Sequence, residues 1–586
     1  MNFYRHSKDQ IITILKALQE ASILAKDANL EQIDVTPTRE AAHGDMATNA
    51  AMILAKSSGK NPKELAALIA EQIRLLPDIT SVEIAGAGFI NMRFAPSFWQ
   101  RIIPVILKAG NEYGKSDVGK GKHINVEYVS ANPTGPLHVG HGRGAVFGDA
   151  LATLLAKAGF HVTKEYYIND AGSQVDKLAK AVAYRYLQAL GEPVEDTVFA
   201  SLYPGEYLIP VGEALKQQYG ETLAVKQDGH YRLGEESEWL PKVRDFAIQS
   251  MMTLIREDLS YLGIEHDVFT SERSIHARGL IEEALAVLES KGLIYKGILE
   301  APKGKTPDDW EPREQTLFKS TAFGDDTDRA IKKSDGSWTY FAPDIAYHYD
   351  KYKRGNDLLV DVLGADHGGY AKRIQSAVKA LSDGKANLEV RLCQMVSLLR
   401  GGQQVKMSKR SGNIITAREV VEEVGKGVFR FIMLTRKNDA MLEFDFDKVT
   451  EQSKDNPVFY VQYAHARAKS VLKMANADVK APTEVQLALL SHPAELELMQ
   501  KMAHYPRMLE SAAIAYEPHR IAFYLQELAA EFHSLWNRGN SDLSLRFIQK
   551  DAMDVTLARL ALVRACSKVI ASGLIVLGVE PLEEMR

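Results

Sequence analysis

The spacing of apolar residues changes character twice along the chain. Ile11, Ile12, Ile14, Leu15 and Leu18 fall at helical spacing. Val82 to Ile84 and Gly88 to Phe94 alternate as strands do, around a Gly-x-Gly turn. Together they predict a small α+β domain over residues 1–110, and the glycine- and charge-rich stretch Asn111 to Lys122 reads as a polar linker. The pattern then becomes strand, helix, strand. Ile124 to Val129 predicts a strand that ends in the proline- and glycine-bearing loop Ser130 to Pro136. Phe147, Ala150, Leu151, Leu154, Leu155 and Ala158 share one helical face, with Gly159 as the residue just past its end, and Val162 to Ile168 follows as a strand. This is a βαβ unit of a parallel sheet, whose ligands sit at the carboxyl ends of the strands.

A polar stretch from about Ala301 to Arg329 reads as an insertion of loops and hairpins. Leu358 to Leu363 and Val390 to Gln394 predict further strands, with a helix from Tyr370 between them carrying Ile374, Ala377, Val378 and Leu381. Thr416-x-x-Glu419 is a capping box opening a helix with Val420, Val421 and Val424. Beyond Pro457 only helical spacing remains, with a linker near Ala477 to Pro482. The division is therefore an α+β domain over 1–110, an α/β parallel-sheet domain over 120–455 and an all-α bundle over 456–586.

A chain of 586 residues exceeds what one core supports, and 46% hydrophobic with 25% charged residues is ordinary for a soluble globular protein. The two cysteines, Cys393 and Cys566, lack a C-x-x-C partner, which makes structural zinc and a disulfide framework poor expectations. The first residues lead into a mixed polar and apolar helix rather than a secretory signal. The most apolar stretch, near the C-terminus, is broken by Arg564 and Lys568, so a membrane span is not expected and a cytoplasmic location is. A net charge of −5 points away from a general nucleic-acid coat protein but leaves room for a selective RNA binder.

Two short motifs carry the chemistry. His138-Val139-Gly140-His141 places two imidazoles where a strand gives way to a helix, whose free N–H groups and positive dipole end suit a phosphate. Lys406-Met407-Ser408-Lys409-Arg410 packs three cations into a glycine-flanked loop able to close over a pyrophosphate. Either alone could be a solvated surface feature; their order and setting make the pair specific.

The pair resembles the class I aminoacyl-tRNA synthetases. Val126 to His141, Glu165 to Gly172, Ser334 to Tyr347 and Gly364 to His367 are similar to the arginyl-tRNA synthetase family within that class. His43 to Asn49 is similar to that family's N-terminal tRNA-contacting domain, and Leu557 to Val579 to the last helices of its anticodon-binding bundle. The resemblance implies a class I Rossmann-like catalytic domain and a monomer. It implies ligation of L-arginine to arginine tRNA, through ATP-dependent formation of arginyl-adenylate and transfer to the terminal adenosine, with Mg2+ accompanying ATP. His138, His141, Lys406 and Lys409 would be catalytic. Ala131, Asn132, Pro133, Thr134, Gly135, Pro136, Leu137, Val139, Gly140, Met407, Ser408, Asp366 and His367 would line the ATP site. Glu127, Tyr340 and Asp344 would face the arginine side chain and Asn132 its α-amino and carboxylate end.

The pocket can be weighed against the chemistry of its substrate. A guanidinium is planar, permanently charged and carries five donors, so two carboxylates and a phenol match it, whereas lysine would leave acceptors unpaired. Without their flanking motifs, Glu127 could be a strand-end acid, Tyr340 a packed aromatic and Asp344 a helix cap. Some members of the family carry glutamine near Asp366 and His367, so contact with the ATP ribose, contact with arginine and a strand-end structural role stay open for both. In the bundle, Tyr463, His465, Arg467, Trp536 and Arg538 could stack on or bond unstacked bases, or simply pack.

Overall fold

The computed structural model describes residues 2–38, 40–299, 313–405, 415–475 and 483–585. They form two compact units, residues 119–451 and a discontinuous unit of 1–118 with 452–586. The loop motif Lys406 to Arg410 and the predicted linker near residues 477–482 lie outside the described residues.

The discontinuous unit combines the predicted α+β and all-α segments. Helix Phe3–Glu20 buries Ile11, Leu15 and Leu18, as their spacing predicts. An antiparallel sheet runs in the order Val35–Pro37, Met46–Thr48, Phe89–Phe94, Ile79–Ala85. Gly44 in the His43–Asn49 segment has φ +103°, and a Cβ there would lie 2.9 Å from the Met92 carbonyl oxygen, so only glycine fits. Four long helices follow in the C-terminal part: Pro457–Ala475, Pro493–Ala515, His519–Ser541 and Met553–Val576. The predicted polar linker is anchored at its start. Tyr113 is buried, donates to the Met502 carbonyl at 3.1 Å and accepts at its own carbonyl from Ser572 Oγ at 2.9 Å. Among the described residues no helix is long and apolar enough to cross a membrane.

Residues 119–451 are built on a five-stranded sheet in the spatial order Asn387–Cys393, Leu358–Gly364, His123–Glu127, His161–Ile168, Val268–Ser271, all parallel. The chain starts in the centre, winds outward one way and returns to wind the other. The switch in winding direction therefore falls between His123–Glu127 and Leu358–Gly364, where sheets of this kind open a crevice. The first strand stops two residues short of the predicted end because Val129 and Ser130 turn to φ +70° and +38°. Helix Val139–Lys157 buries the predicted face and ends at Ala158 with Gly159 at φ +89°. Ile374, Ala377, Val378 and Leu381 are buried as predicted, on helix Ala371–Ser382, which a short 3-10 turn over Ala365–Tyr370 precedes. The insertion past residue 313 is a hairpin, with Gln315–Phe318 antiparallel to Ile294–Gly297 and to Arg329–Lys332. One large addition had no counterpart in the sequence reading. Helices Ser173–Ala189, Ile209–Tyr219 and Glu236–Tyr261 enclose an apolar core of their own around Leu178, Tyr186, Leu215 and Trp239.

Candidate active site

His138 caps helix Val139–Lys157: its Nδ1 accepts the main-chain N–H of His141 at 3.3 Å. An accepting Nδ1 leaves the ring proton of a neutral imidazole on Nε2, ready to donate. The two imidazoles stack with centroids 3.6 Å apart, and a Cβ on Gly140 would come within 3.0 Å of the His138 ring. The loop before them is held from three sides. Ala131 O accepts from Tyr166 at 2.8 Å, Thr134 O accepts from Tyr207 at 2.6 Å, and Leu137 N donates to Asp258 at 3.1 Å. Gly135 lies so close to Tyr207 that a Cβ would meet its hydroxyl at 2.9 Å. Pro133 is buried and Pro136 half-buried in the same loop, while Asn132 is exposed and donates to Gln174 at 3.0 Å.

The structure brings the residues just past the cationic motif to this turn. Val139 N donates to Ile415 O at 3.4 Å, Ala417 N donates to Leu137 O at 2.7 Å, and His138 bridges Thr416 as an antiparallel pair. Thr416 closes the predicted capping box with Glu419. Asp258 ties both sides, accepting from Leu137 N and from Arg418 Nε at 2.9 Å. Arg143, fully buried one turn into the histidine helix, donates to the carbonyls of Gln394, Ala440 and Lys437 at 2.7, 2.8 and 3.0 Å. It thereby fixes that helix to the strands Val396–Arg400 and Leu442–Asp445, the first of which leads into the motif. Lys406, Met407, Ser408 and Lys409 themselves lie outside the described residues.

At the switch between the two windings, Glu127 and Asp361 are register partners on adjacent strands, so their side chains share one face. Both are buried. Lys351 Nζ donates to Glu127 Oε2 and, at 3.0 Å, to Asp361 Oδ1, while Ser130 Oγ donates to Glu127 Oε1 at 2.9 Å. His348 Nε2 meets the other Asp361 oxygen at 2.7 Å, and its Nδ1 meets the Asp344 main-chain oxygen at 2.8 Å. Lys351 and the protonated His348 hold the Asp361 carboxyl well below the usual carboxylate range despite its burial. Next to them Arg354 grips both oxygens of Glu165 at 2.8 Å.

Asp344, in the first turn of helix Phe341–Lys353, has a different environment. Its carboxylate accepts from the Tyr370 hydroxyl, and burial pushes its pKa up to about 6, with Glu127 and Asp361 adding to the rise. Glu272, at the start of helix Glu272–Ala277, is pushed up to about 7 by burial and then by the charges of Asp344 and Asp170. Carboxyl groups raised together in a crevice mark a candidate functional site. Sequence reasoning missed Glu272, Tyr370, His348 and Lys351. Asp344, Tyr347, His348 and Lys351 follow i, i+3, i+4, i+7 spacing on one helix face, a signal that groups them without showing what they face.

Other predicted positions are less engaged. Tyr340 is the N-terminal cap of the same helix and is 82% exposed, so the phenol bonded to Asp344 is that of Tyr370. Asp366 and His367 lie on the exposed turn beyond Gly364, 3.7 Å apart. In the helical bundle His465 is buried and bonded to the Leu582 carbonyl at 2.7 Å, a packing role. Arg467 lies over the rings of Tyr463 and Trp536, 4.3 and 5.0 Å from their centroids. Arg538 lines a cavity of about 480 Å³ with Tyr460, His533 and Asn537.

Comparison with known proteins bears on all three parts of the chain. Residues 9–94 match the arginyl tRNA synthetase N terminal domain, 102–197 the catalytic domain of class I (R) tRNA synthetases, and 461–585 the DALR anticodon binding domain. The chain is 56% identical to the arginine--tRNA ligase of Parvibaculum lavamentivorans over 600 aligned positions, covering 100% of both. It is also 56% identical to that of Cereibacter sphaeroides, again over 100% of both chains. In fold it is similar to the Thermus thermophilus arginyl-tRNA synthetase (TM-score 0.72, 20% identity, 99% of this chain and 100% of that one). It is equally similar to the Plasmodium falciparum arginyl-tRNA synthetase (TM-score 0.72, 14% identity, 100% and 99%). With a parallel sheet whose crevice joins a capped histidine turn to a carboxylate pocket, and with relatives identical at more than half of all positions end to end, the chain belongs to the arginyl-tRNA synthetase family of class I.

Proposed function

We propose that the chain carries out its family's two-step ligation with the following division of labour. The carboxylate of arginine attacks the α-phosphorus of ATP in line, forming arginyl-adenylate and releasing pyrophosphate. A ribose hydroxyl of the tRNA's terminal adenosine then attacks the acyl carbon and releases AMP. No side chain bonds covalently to substrate; the protein positions the reactants and stabilises charge.

In this reading His138 and His141 donate from their rings to the phosphates at the helix N-terminus, and Lys406 and Lys409 neutralise the departing pyrophosphate. Magnesium enters with ATP as the counter-ion of its phosphates. Ala131 to Gly140 form the wall of the nucleotide site, with Met407 and Ser408 opposite, and Asp366 and His367 border it at the end of the neighbouring strand. Asp344 and Glu127 face the guanidinium, Glu272 adds a further carboxylate, Tyr340 stands at the mouth and Asn132 holds the α-amino and carboxylate end. The N-terminal domain and the helical bundle hold the tRNA, the latter with Tyr463, Arg467 and Trp536. The enzyme acts as a monomer in the cytoplasm.

The observation that supports the reading is the pairing of Leu137 and Val139 with Ala417 and Ile415, which brings the chain five residues beyond the cationic motif to the histidine turn. The test is amino-acid-dependent pyrophosphate exchange with ATP and tRNA across the twenty amino acids. Arginine alone is expected to support exchange; equal exchange with lysine or glutamine would overturn the assignment.

A further inference from the structure

The deep end of the amino-acid pocket already holds a cation, and it is the chain's own. Glu127, Asp361 and His348 bring ligand atoms within 4.8 Å of one another, an arrangement of the kind that gathers around a positive ion. Lys351, with no exposed surface on its side chain, lies among them with its ammonium on Glu127 and Asp361 and 4.3 Å from the face of the Tyr347 ring. Two buried carboxylates side by side on neighbouring strands repel one another unless a positive charge separates them. Glu165, the next buried carboxylate, has its own cation in Arg354. Asp344 and Glu272 differ: the first is bonded to a neutral phenol, and the second lies 3.9 Å from His276.

We propose that Lys351 is a specificity-determining positioning residue, whose ammonium pins Oε2 of Glu127 and, together with the protonated His348 on the other oxygen, cancels Asp361. The uncompensated negative charge of the pocket is thereby confined to the Asp344 end, while Oε1 of Glu127 is held by the Ser130 hydroxyl. This rests on the assignment of Glu127 and Asp344 to the arginine guanidinium. The helix enforces the arrangement. Asp344 stands in its first turn and Lys351 two turns further along the same stripe, so the fixed cation and the place for the substrate's cation are held apart by the helix itself. Were the seat of Lys351 empty, Glu127 and Asp361 would offer a compact ammonium a second place to bind. The pocket would then lose its preference for a planar fork over a lysine side chain.

The experiment is a double-mutant cycle in the full-length chain with tRNA, using K351M, E127Q and K351M/E127Q. Arginine and ATP KM values, kcat, exchange with lysine and thermal unfolding are read for each. K351M is expected to raise the arginine KM roughly 100-fold with the ATP KM changed less than about threefold. Removing the opposing carboxylate in K351M/E127Q should recover at least about tenfold of that loss. A rise shared equally by both substrates, a loss confined to kcat, or a double variant no better than K351M would overturn the proposal. If K351M does not fold, the double variant decides alone. A folded enzyme with an arginine KM within about tenfold of that expected from E127Q supports the charge balance; an unfolded one makes Lys351 merely structural and overturns it. A wild-type chain that exchanges with lysine as readily as with arginine would sink the parent assignment instead.

Discussion

The histidine turn and the carboxylate pocket sit on neighbouring parts of one sheet yet are constructed by opposite means. The turn is a partly exposed helix start held mainly through its main-chain N–H groups: His141 N donates to His138 Nδ1, Val139 N to Ile415 O and Leu137 N to Asp258 Oδ2. The pocket is a buried set of side-chain charges, Glu127, Lys351, Asp361 and His348, with Asp344 beside it. Phosphates are alike in every ATP, so a site made from backbone geometry and a helix end serves any activation step. Choosing one amino acid requires charges counted and placed individually, which only side chains provide.

Disturbing each region should separate these roles. The largest effect is expected from D344N, which keeps the shape but removes the charge proposed to face the guanidinium. Arginine kcat/KM in tRNA charging should fall roughly 1,000-fold, carried mostly by KM, with the ATP KM near normal. If D344N instead lowered kcat with an unaltered arginine KM, the division between the regions would collapse. H141A should cost roughly 100-fold in the kcat of pyrophosphate exchange while leaving the arginine KM within about threefold.

The next effect is in pH. Asp344 and Glu272, raised to about 6 and about 7, must lose protons to hold a guanidinium in the proposed role. The arginine KM is therefore expected to fall by about tenfold from pH 5.5 to pH 8, and E272Q should flatten the upper part of that profile. Stability runs the other way. Carboxyls with raised folded pKa values stabilise the fold while protonated, fully so below their unfolded pKa near 4, and that contribution is lost as pH rises through 6 to 7. Thermal unfolding without arginine should accordingly occur at lower temperature at pH 8 than at pH 6 where these groups dominate, and added arginine should narrow the gap. The smallest effect is expected from T416A, which removes the capping box behind the cationic loop at a cost of about 1 kcal/mol. It should lower kcat for exchange slightly and leave the arginine KM alone.

The same contrast explains what was legible in the sequence. The histidine turn, its helix and the strands beside it follow from short-range spacing, a proline- and glycine-rich loop and a capping box, all written within a few residues of one another. Glu127 and Asp344 were legible only because flanking motifs resemble a known family. Lys351 was not: near the end of a helix, followed by Lys353 and Arg354, it reads as one more solvated cation, and only the register of Glu127 against Asp361 shows what surrounds it. Tyr370 is hidden for the same reason, since its hydroxyl meets Asp344 across an intervening helix and strand. The helices between Ser173 and Tyr261 bury a core against one another, and such helical spacing says nothing of where they attach. Nor does spacing reveal that the first and last parts of the chain share a unit, because Tyr113 and Tyr505, whose rings stack 6.0 Å apart, are hundreds of residues distant.

That shared unit sets a schedule for synthesis. Residues 119–451 form a compact unit from one continuous stretch, so they can close on themselves once they leave the ribosome. The first 118 residues emerge earlier and must wait longest. Tyr4 packs on His504, Gln100 donates to the Leu490 carbonyl and Arg507 donates to Val35, so half of each contact is translated last. A ribosome that stalls before residue 452 leaves an amino-terminal segment with its docking face bare, a substrate for chaperones and proteases rather than a partly useful enzyme.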